Sequence, residues 1–306
     1  MHCAKMNLMQ FAVILNPAAG RGRGAKMRPM VEKALPDAEI IETKRAGDAT
    51  ELARDAAKKG AQIVVAAGGD GTLGEVLNGI YGSGAKLGIL PLGTGNDFAR
   101  CIGIGTKVDF ALEVLKTGHF RAVDVGIIEN ETGKRFFLNV AGAGFDSRVA
   151  ARINAHRPAI LSKLGGTAAY LVAGICEVHA HQLSQVRLVL DGKVIESRAV
   201  LCAIANASSY GGGMRVAPDA DLSDGLFDVC LIKDVEKWEF VRAFPGVFSG
   251  KHVHHPKVEM FRAAKIEFSS DPPLPILVDG EIMSQTPARF EMVTRAIEIV
   301  APIFKS

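Results

Sequence analysis

The chain has 306 residues, of which 48% are hydrophobic and 23% are charged. This composition is typical of a globular protein with enough residues for two domains. A net charge of +3 is too small to indicate nucleic-acid binding, although it does not oppose contact with an anionic membrane surface.

The five cysteines are scattered and odd in number, which favours free thiols in a reducing cytoplasm over disulfides or a zinc site. The N-terminus lacks the hydrophobic region of a signal peptide. No apolar run approaches the roughly 20 residues that a membrane helix needs. We therefore expect a cytoplasmic protein that touches membranes only peripherally.

Strands and helices alternate in the first part of the chain. Apolar runs predict strands at 11–15, 40–43, 63–67 and 86–90. Helical spacing predicts helices after them, the first with an apolar face of Met27, Met30, Val31 and Leu35. Asp48 is expected to cap the second helix, with Glu51 completing a capping box. This alternation predicts a parallel sheet with helices on both faces.

Glycine-rich loops follow three of these strands, at residues 16–20, 68–74 and 93–97. Glycines let the backbone approach a bulky group, and a helix N-terminus attracts anions. The second and third loops lie at the carboxyl ends of parallel strands and should face one crevice, so we expect a phosphate site there. The first loop can also hold a phosphate through its backbone N–H groups. Asp70 beside a phosphate indicates a divalent cation between them. The alternative is that the glycines only ease packing. For Asp97, helix capping competes with a ligand role.

The pattern changes to short strands after residue 118, which predicts a mostly antiparallel β-sandwich. The predicted strands are 121–128, 136–141, 183–190, 194–205, 226–232, 257–261 and 265–268, with Asp191-Gly192 as a hairpin turn. Helices are expected at 162–178 and 235–247. The second contains apolar residues that suit either a core or an acyl-chain pocket: Trp238, Phe240, Phe244, Val247 and Phe248. The predicted domains are 1–120, joined by 296–306, and 121–295.

Three histidines, His252, His254 and His255, lack partners at metal-ligand spacing, so we expect a solvated loop. Lys251 and Lys257 beside them form a basic patch that suits anionic lipid headgroups.

Seven motifs in one order resemble the soluble bacterial members of the diacylglycerol kinase catalytic-domain family, the lipid kinases related to sphingosine and ceramide kinases. They are Asn16-Pro-x-x-Gly20, Gly68-Gly-Asp-Gly-Thr72, Leu90-Pro-Leu-Gly-Thr-Gly-Asn-Asp97, Val123-Asp-Val-Gly126, Asn139-x-x-Gly-x-Gly-Phe-Asp146, Asp224-Gly-Leu-Phe-Asp228 and Val278-Asp-Gly-Glu281. The resemblance covers nearly the whole chain. It implies an α/β nucleotide-binding domain, a β-sandwich domain and an active site in the cleft between them.

The resemblance also implies site residues for phosphorylation of a lipid hydroxyl by ATP with Mg²⁺. Nucleotide-contacting positions match Asn16, Pro17, Ala18, Ala19, Gly20, Thr43, Gly68, Gly69, Asp70, Gly71, Thr72, Leu73, Gly74 and Thr94, and the same loops add Asn96 and Asp97. Glu281 matches the proton acceptor, and Asp221, Asp224 and the Leu226 carbonyl match a magnesium-binding loop. Ala19 replaces a serine of many relatives, which removes a hydroxyl contact but keeps the backbone.

The chemistry of these residues leaves alternatives open. Phosphoryl transfer needs positioning and charge neutralisation, which Mg²⁺ beside Asp70 would supply. Asp279 competes with Glu281 as the base, and Asp279-Gly280 can also be a plain β-turn. Asp124 is either an acid that reaches the metal through water or an exposed strand residue.

The expected function is a lipid kinase that acts on diacylglycerol or a related lipid at the membrane surface. The rivals are an NAD kinase or phosphofructokinase-like enzyme, which shares the Gly-Gly-Asp-Gly-Thr loop, and a non-catalytic nucleotide or lipid sensor. The identity of the lipid and any homodimer stay open.

Overall fold

The computed structural model describes residues 9–149 and 183–303. The helix expected at 162–178 lies outside these ranges. The chain forms two compact units, one of residues 1–123 and 295–306 and one of residues 124–294. The first is an α/β unit and the second is a β-sandwich, which confirms the predicted fold class.

The α/β unit is built on a parallel sheet in which the last strand of the chain, β15 (Ala288–Ala301), lies at one edge, and the strand order is β15-β4-β3-β1-β2. Its elements are β1 (Phe11–Leu15), α1 (Ala19–Ala34), β2 (Glu39–Glu42), α2 (Asp48–Lys58), β3 (Ile63–Gly68), α3 (Asp70–Ile80), β4 (Lys86–Pro91), α4 (Asp97–Cys101) and α5 (Val108–Thr117). Every residue of β3 is buried, as expected for a strand covered on both faces. All predicted strands of this unit are present.

Helix α2 begins differently from the expectation. Its N-cap is Gly47, and the carboxylate of Asp48 accepts hydrogen bonds from the backbone N–H groups of Lys44 and Arg45, before the helix. Glu51 forms an ion pair with Arg54 instead of a capping box. The carboxylate of Glu75, on α3, accepts hydrogen bonds from the backbone N–H groups of Gly47 and Ala49, each at 3.0 Å. The predicted capping box is therefore wrong, because a distant acid caps this helix.

Helix α1 also departs from a regular helix at its start. Gly20, Arg21 and Gly22 have left-handed backbone angles, with φ of 57°, 63° and 84°. The chain therefore makes a loop over these residues before the regular helix. On the predicted apolar face Val31 is buried, whereas Met30 is exposed.

The β-sandwich unit contains antiparallel strands that run from β5 to β15. They are β5 (His119–Asn130), β6 (Gly133–Phe137), β7 (Val140–Gly144), β8 (Ser184–Leu190), β9 (Lys193–Ala205), β10 (Phe227–Lys233), β11 (Val258–Ala263), β12 (Lys265–Asp271), β13 (Pro275–Val278), β14 (Glu281–Gln285) and β15 (Ala288–Ala301). β5 and β15 contribute residues to both units. The β8–β9 hairpin has the predicted two-residue turn, with positive φ at Asp191 and Gly192.

The structure of this unit differs from the expectation in three places. The single strand predicted at 136–141 is two strands, β6 and β7, because the N–H groups of residues 138–140 bind the side chain of Asp279. Strands β13 and β14 were not predicted. The helix expected at 235–247 is α6 (Lys237–Ala243) followed by a 3₁₀ helix, Phe244–Ser249, in which Pro245 supplies no backbone N–H.

Both faces of the sheet formed by β7, β9 and β10 are buried. Along β9 and β10, alternate residues face two different apolar clusters: Cys202, Ile204, Val229 and Leu231 face the first, and Leu201, Ala203, Cys230 and Ile232 face the second. This period of two follows from strand geometry. The second cluster includes Phe240 of α6 and surrounds a pocket that is described below.

Candidate functional site

The three glycine-rich loops of the α/β unit lie together at the carboxyl edge of its sheet. The side-chain amide of Asn16 donates to the hydroxyl of Thr72 at 3.0 Å, which joins the first loop to the second. The backbone N–H groups of Leu92 and Gly93 donate to the carbonyl of Gly68, which joins the second loop to the third. The predicted crevice therefore has its loops in contact.

Glycine is required where these loops touch. A Cβ on Gly93 would lie 2.4 Å from the Cα of Gly69, and one on Gly20 would lie 2.3 Å from the carbonyl oxygen of Leu92. Real Cβ atoms do not approach other atoms so closely, so any side chain would push the loops apart. The glycines of this site therefore serve the close approach of three backbones.

Asp70 and Asp97 lie at the start of two helices. Asp70 is the first residue of α3, and its carboxylate accepts the backbone N–H of Phe98 in α4 at 3.2 Å. Asp97 is buried at the first position of α4, whose N-cap is Asn96 and not Asp97 as the capping alternative held. Within the described residues, the bond from the Phe98 N–H is the only hydrogen bond of the Asp70 carboxylate. The second oxygen of that carboxylate can therefore bind a cation.

The remaining predicted nucleotide contacts differ in exposure. Asn96 has φ of 52°, and its amide exchanges two hydrogen bonds with the backbone of Gly93, so it shapes its own loop. Thr94 is exposed, whereas Leu73 and Thr43 are buried. The backbone N–H of Thr43 donates to the carbonyl of Leu15, which puts Thr43 at the same sheet edge as Asn16. Ala18 N–H donates to the side-chain oxygen of Asn16.

In the β-sandwich unit, Glu281 follows a tight turn between β13 and β14. Asp279 and Gly280 both have positive φ and form the turn, so the plain-turn expectation holds for their backbone. The guanidinium of Arg135 donates to the Glu281 carboxylate at 2.8 Å, and the Glu281 side chain is 43% exposed. Glu281 is thus an accessible carboxylate held by one cation, which suits a proton acceptor.

Asp279, the competing base, is placed differently. It is buried, and its carboxylate accepts the backbone N–H groups of Leu138, Asn139 and Val140 at 3.0 to 3.3 Å. This carboxylate holds the backbone of residues 138–140 in place, and its burial and its three donors keep it away from an incoming hydroxyl group. The geometry favours Glu281 over Asp279 as the base.

In the loop Asp221–Leu226, the carboxylate oxygens that could bind a metal ion already accept hydrogen bonds or form ion pairs within the protein. Asp221 accepts hydrogen bonds from Ser223, and Asp224 accepts the N–H of Leu226 and pairs with Arg262. Asp124 is fully buried, not exposed, and its carboxylate accepts the N–H of Gly225 at 2.7 Å. Carboxylates and a carbonyl are suitable ligands for Mg²⁺. The guanidinium of Arg262 pairs with the carboxylate of Asp224, however, so the loop in this arrangement does not fit a cation.

No group of three or more His, Cys, Asp or Glu side chains in residues 9–149 and 183–303 is arranged to hold a metal ion. His252 is buried and hydrogen bonded to the carbonyl of Val216, which corrects the expectation of a solvated loop at that residue. Burial lowers its pKa. Of the two lysines in the predicted basic patch, Lys257 pairs with Glu239 at 2.9 Å and Lys251 is exposed.

An apolar pocket lies in the second cluster of the β-sandwich unit. Its walls are mostly aromatic and aliphatic, and they include Phe145, Leu201, Met214, Phe240, Phe244 and Val247. The ring centroids of Phe145 and Phe240 are 4.7 Å apart, and those of Phe240 and Phe244 are 5.7 Å apart. Several residues of the predicted helix therefore line a pocket, which supports the acyl-chain alternative.

One carboxylate is buried in this pocket. Asp146 accepts the hydroxyl of Tyr210 at 3.1 Å, and burial raises the pKa of Asp146 from 3.8 to about 6. Asp146 ends one of the seven sequence motifs, but the sequence pattern predicted no role for it. The sequence does contain a sign of such a role: Asp146 ends a run of glycine, alanine and phenylalanine residues, and an acid buried in apolar surroundings costs free energy unless it has a partner.

These features define a class before any comparison is made. A parallel sheet with phosphate-suited loops, a β-sandwich with an accessible carboxylate and an apolar pocket are typical of an enzyme that binds a phosphorylated ligand and an apolar molecule. Among the helices of the described ranges, none combines the length and the apolarity that crossing a bilayer requires.

The comparisons identify the family. Residues 10–128 match the diacylglycerol kinase catalytic domain, and residues 139–301 match the YegS C-terminal NAD kinase beta sandwich-like domain. The chain belongs to the diacylglycerol kinase catalytic-domain family and is a lipid kinase. A diacylglycerol kinase of Staphylococcus aureus (strain MRSA252) is 33% identical over 95% of this chain and 91% of the relative. One from Staphylococcus carnosus is 32% identical over 95% and 94%.

A solved structure shows the same fold. The crystal structure of a candidate diacylglycerol kinase from Bacillus anthracis strain Sterne has a TM-score of 0.79 and 28% identity, and it covers 96% of this chain and 97% of the other. Both units of the chain are therefore present in that relative.

Proposed function

We propose that this lipid kinase transfers the γ-phosphate of ATP, with Mg²⁺, to a hydroxyl group of diacylglycerol or a related lipid. The contact between the three glycine-rich loops carries the proposal, since it gathers backbone N–H groups and helix N-termini at one sheet edge. The kinase family implies ATP as the phosphate donor. The names of the curated relatives support diacylglycerol as the acceptor.

The α/β unit would hold the nucleotide phosphates. The start of helix α3, within residues 68–72, would supply backbone N–H groups, and the hydrogen bond between Asn16 and Thr72 fixes the first two loops against each other. Asp70, with one carboxylate oxygen on the N–H of Phe98, is the residue that would hold Mg²⁺, which neutralises phosphate charge when it is bound. The loop at 221–226 takes that role only if Arg262 releases Asp224.

The apolar pocket of the β-sandwich unit suits the acyl chain of the acceptor. Its aromatic walls remove a chain from water, and the Asp146–Tyr210 pair provides a polar contact among them. Glu281 would accept the proton of the lipid hydroxyl as the bond to phosphorus forms. The ion pair with Arg135 would fix the orientation of the Glu281 carboxylate before the lipid arrives.

Transfer of labelled γ-phosphate tests the proposal. The purified chain is given ATP, Mg²⁺ and a panel of detergent-dispersed lipids, with NAD and fructose 6-phosphate in parallel. Label in diacylglycerol supports the proposal, and label in another lipid changes only the acceptor. The matched β-sandwich family is described as NAD kinase-like, so label in NAD alone would favour that second candidate and overturn the lipid acceptor.

Replacement of Glu281 tests the assigned base. Glu281→Ala and Glu281→Gln should lower kcat by on the order of 100-fold or more, because neither side chain can take the proton. ATP binding, measured by calorimetry, should stay nearly unchanged. Glu267→Ala, which removes an exposed glutamate that pairs with Arg289, is the matched control and should keep full activity. Full activity of Glu281→Ala would contradict the assignment.

A further inference from the structure

Helix α6 has two chemically different faces. Phe240 and Ala243 line the apolar pocket, together with Glu239. Trp238 and Val241, at i and i+3 on the opposite face, are 67% and 43% exposed. Tryptophan is highly buried on average, and its ring is a large apolar surface with one polar N–H, so an exposed tryptophan beside an exposed valine suits contact with a partner.

Cations flank the exposed apolar pair. Lys237 and Arg242 are exposed on the same side of the helix, next in sequence to Trp238 and Val241. A further cation, Lys251, is exposed at the start of the 3₁₀ helix Lys251–His254, which follows α6 closely along the chain. The nearby acids are engaged, because Glu239 binds Lys257 and His255 and the side chain of Glu236 accepts the backbone N–H of Glu239.

The pocket lies directly beneath this helix. Phe240 is buried, whereas the lining residues Glu239, Ala243, Phe244 and His255 keep some solvent exposure, so they form its rim. The exposed face of α6 is thus the outer surface of the same element whose inner face walls the pocket.

We propose that the outer face of α6, formed by Lys237, Trp238, Val241 and Arg242, docks on the surface of an anionic lipid bilayer. Tryptophan favours the membrane–water interface because its ring is apolar and its N–H is polar. Lysine and arginine beside it are attracted by anionic headgroups, and they complement that surface in charge. The inference rests on the proposed lipid acceptor, since docking there brings the pocket rim to the lipids.

The single tryptophan of the sequence makes a direct test possible. Tryptophan emission, excited at a wavelength that the three tyrosines do not absorb, reports on Trp238 alone and needs no activity. Vesicles of phosphatidylcholine with phosphatidylglycerol should shift the emission to shorter wavelength, and lipids brominated on the acyl chain should quench it. Vesicles of phosphatidylcholine alone should do so less. Emission that does not change with either vesicle would overturn the proposal, as would a protein partner that shields Trp238 while vesicles do not.

Two pairs of variants separate docking from folding. Trp238→Ala should weaken co-sedimentation with the anionic vesicles on the order of tenfold, whereas Phe110→Ala, which removes a 39% exposed aromatic from helix α5, should not. Arg242→Glu should weaken it by about fivefold or more, whereas Lys33→Glu, at an exposed lysine of α1, should have a much smaller effect. Equal losses within either pair would overturn the assignment of this face.

Kinetics distinguish failure of docking from failure of the proposed function. Trp238→Ala should raise the KM for diacylglycerol embedded in anionic vesicles and leave kcat on a short-chain, monomeric diacylglycerol unchanged. An emission shift in a protein that phosphorylates no lipid would keep the docking face and overturn the acceptor. Normal KM on vesicles for Trp238→Ala would keep the acceptor and overturn the docking face.

Discussion

At the scale of single residues, three carboxylates of the β-sandwich unit differ only in their surroundings. Glu281 is accessible and pairs with Arg135, Asp279 is buried and binds three backbone N–H groups, and Asp146 is buried among apolar side chains with Tyr210. The same chemical group therefore serves as a candidate base, as a support for a turn and as a weak acid in a pocket.

Asp279→Ala should destabilise the protein, because three backbone N–H groups would lose their acceptor in the interior. The expected loss is about 2 to 4 kcal/mol in the free energy of unfolding, measured by urea denaturation. Asp271→Ala, at an exposed aspartate, is the control and should change stability little. A stable Asp279→Ala variant that has lost only activity would instead return Asp279 to the role of base.

The raised pKa of Asp146 predicts a dependence of stability on pH. Because burial raises the pKa from 3.8 to about 6, the folded state holds this proton more tightly than the unfolded state. Stability from this group is therefore present at low pH and is lost as the pH rises from roughly 4 to roughly 6. Tyr210 and Arg148 face the carboxylate and limit the shift.

The comparison of wild type with Asp146→Asn isolates this effect. The difference between their free energies of unfolding should change by about 2 to 3 kcal/mol between about pH 4 and pH 7, with the wild type losing relative stability as the pH rises. Chemical denaturation across this range measures it. A difference that does not vary with pH would mean that Asp146 titrates as it does in the unfolded chain.

At the scale of elements, the loops and helix ends of the α/β unit depend on one another. Thr72 of α3 binds Asn16 of the first loop, Asp70 of α3 binds Phe98 of α4, and Glu75 of α3 caps α2. One helix thus fixes three neighbours through side chains on its first turns. The start of α3 is the element that holds the candidate nucleotide site together.

Glu75→Ala tests the cap on α2. The N–H groups of Gly47 and Ala49 would lose their acceptor, and the positive end of the helix would lose a nearby negative charge. We expect a loss of about 1 to 2 kcal/mol in the free energy of unfolding. Glu51→Ala is the matched control, because Glu51 only forms a surface ion pair with Arg54 and should change stability far less. Equal effects would restore the capping box.

At the scale of the whole molecule, the α/β unit is discontinuous in sequence. Residues 295–306 belong to it although the 171 residues of 124–294 form the other unit. Ile299 of β15 pairs in parallel with Leu87 of β4, and both are fully buried. Strand β15, which follows the β-sandwich unit in the sequence, must therefore pair with β4 before the sheet of the α/β unit is complete.

Ile299→Ala measures this contribution. Removal of a fully buried isoleucine should cost about 2 to 5 kcal/mol in the free energy of unfolding, from lost burial and the cavity that remains. Hydrogen exchange should show faster exchange in β3 and β4. Ile303→Ala, four residues on and 63% exposed, is the control and should leave both unchanged. Protection of β4 that survives Ile299→Ala would mean that the sheet is stable without this strand.

The sequence by itself determined the strand and helix order of the α/β unit, the β8–β9 hairpin and the meeting of the second and third glycine-rich loops. These follow from local patterns, since apolar periodicity, glycine turns and parallel strand ends act over a few residues. It also placed Glu281 after a turn. Tertiary structure decided the partners of Asp279, which lie 139 to 141 residues away, the cap that Glu75 gives to α2, and the pairing of Asp224 with Arg262.

Packing also decided which aromatic residue of α6 is buried. Phe240 and Trp238 are both aromatic, but they lie on opposite faces of a short helix, so Phe240 is buried and Trp238 is exposed. Local patterns assign a residue to an element, whereas the distant groups that approach it determine its hydrogen bonds, its pKa and its exposure.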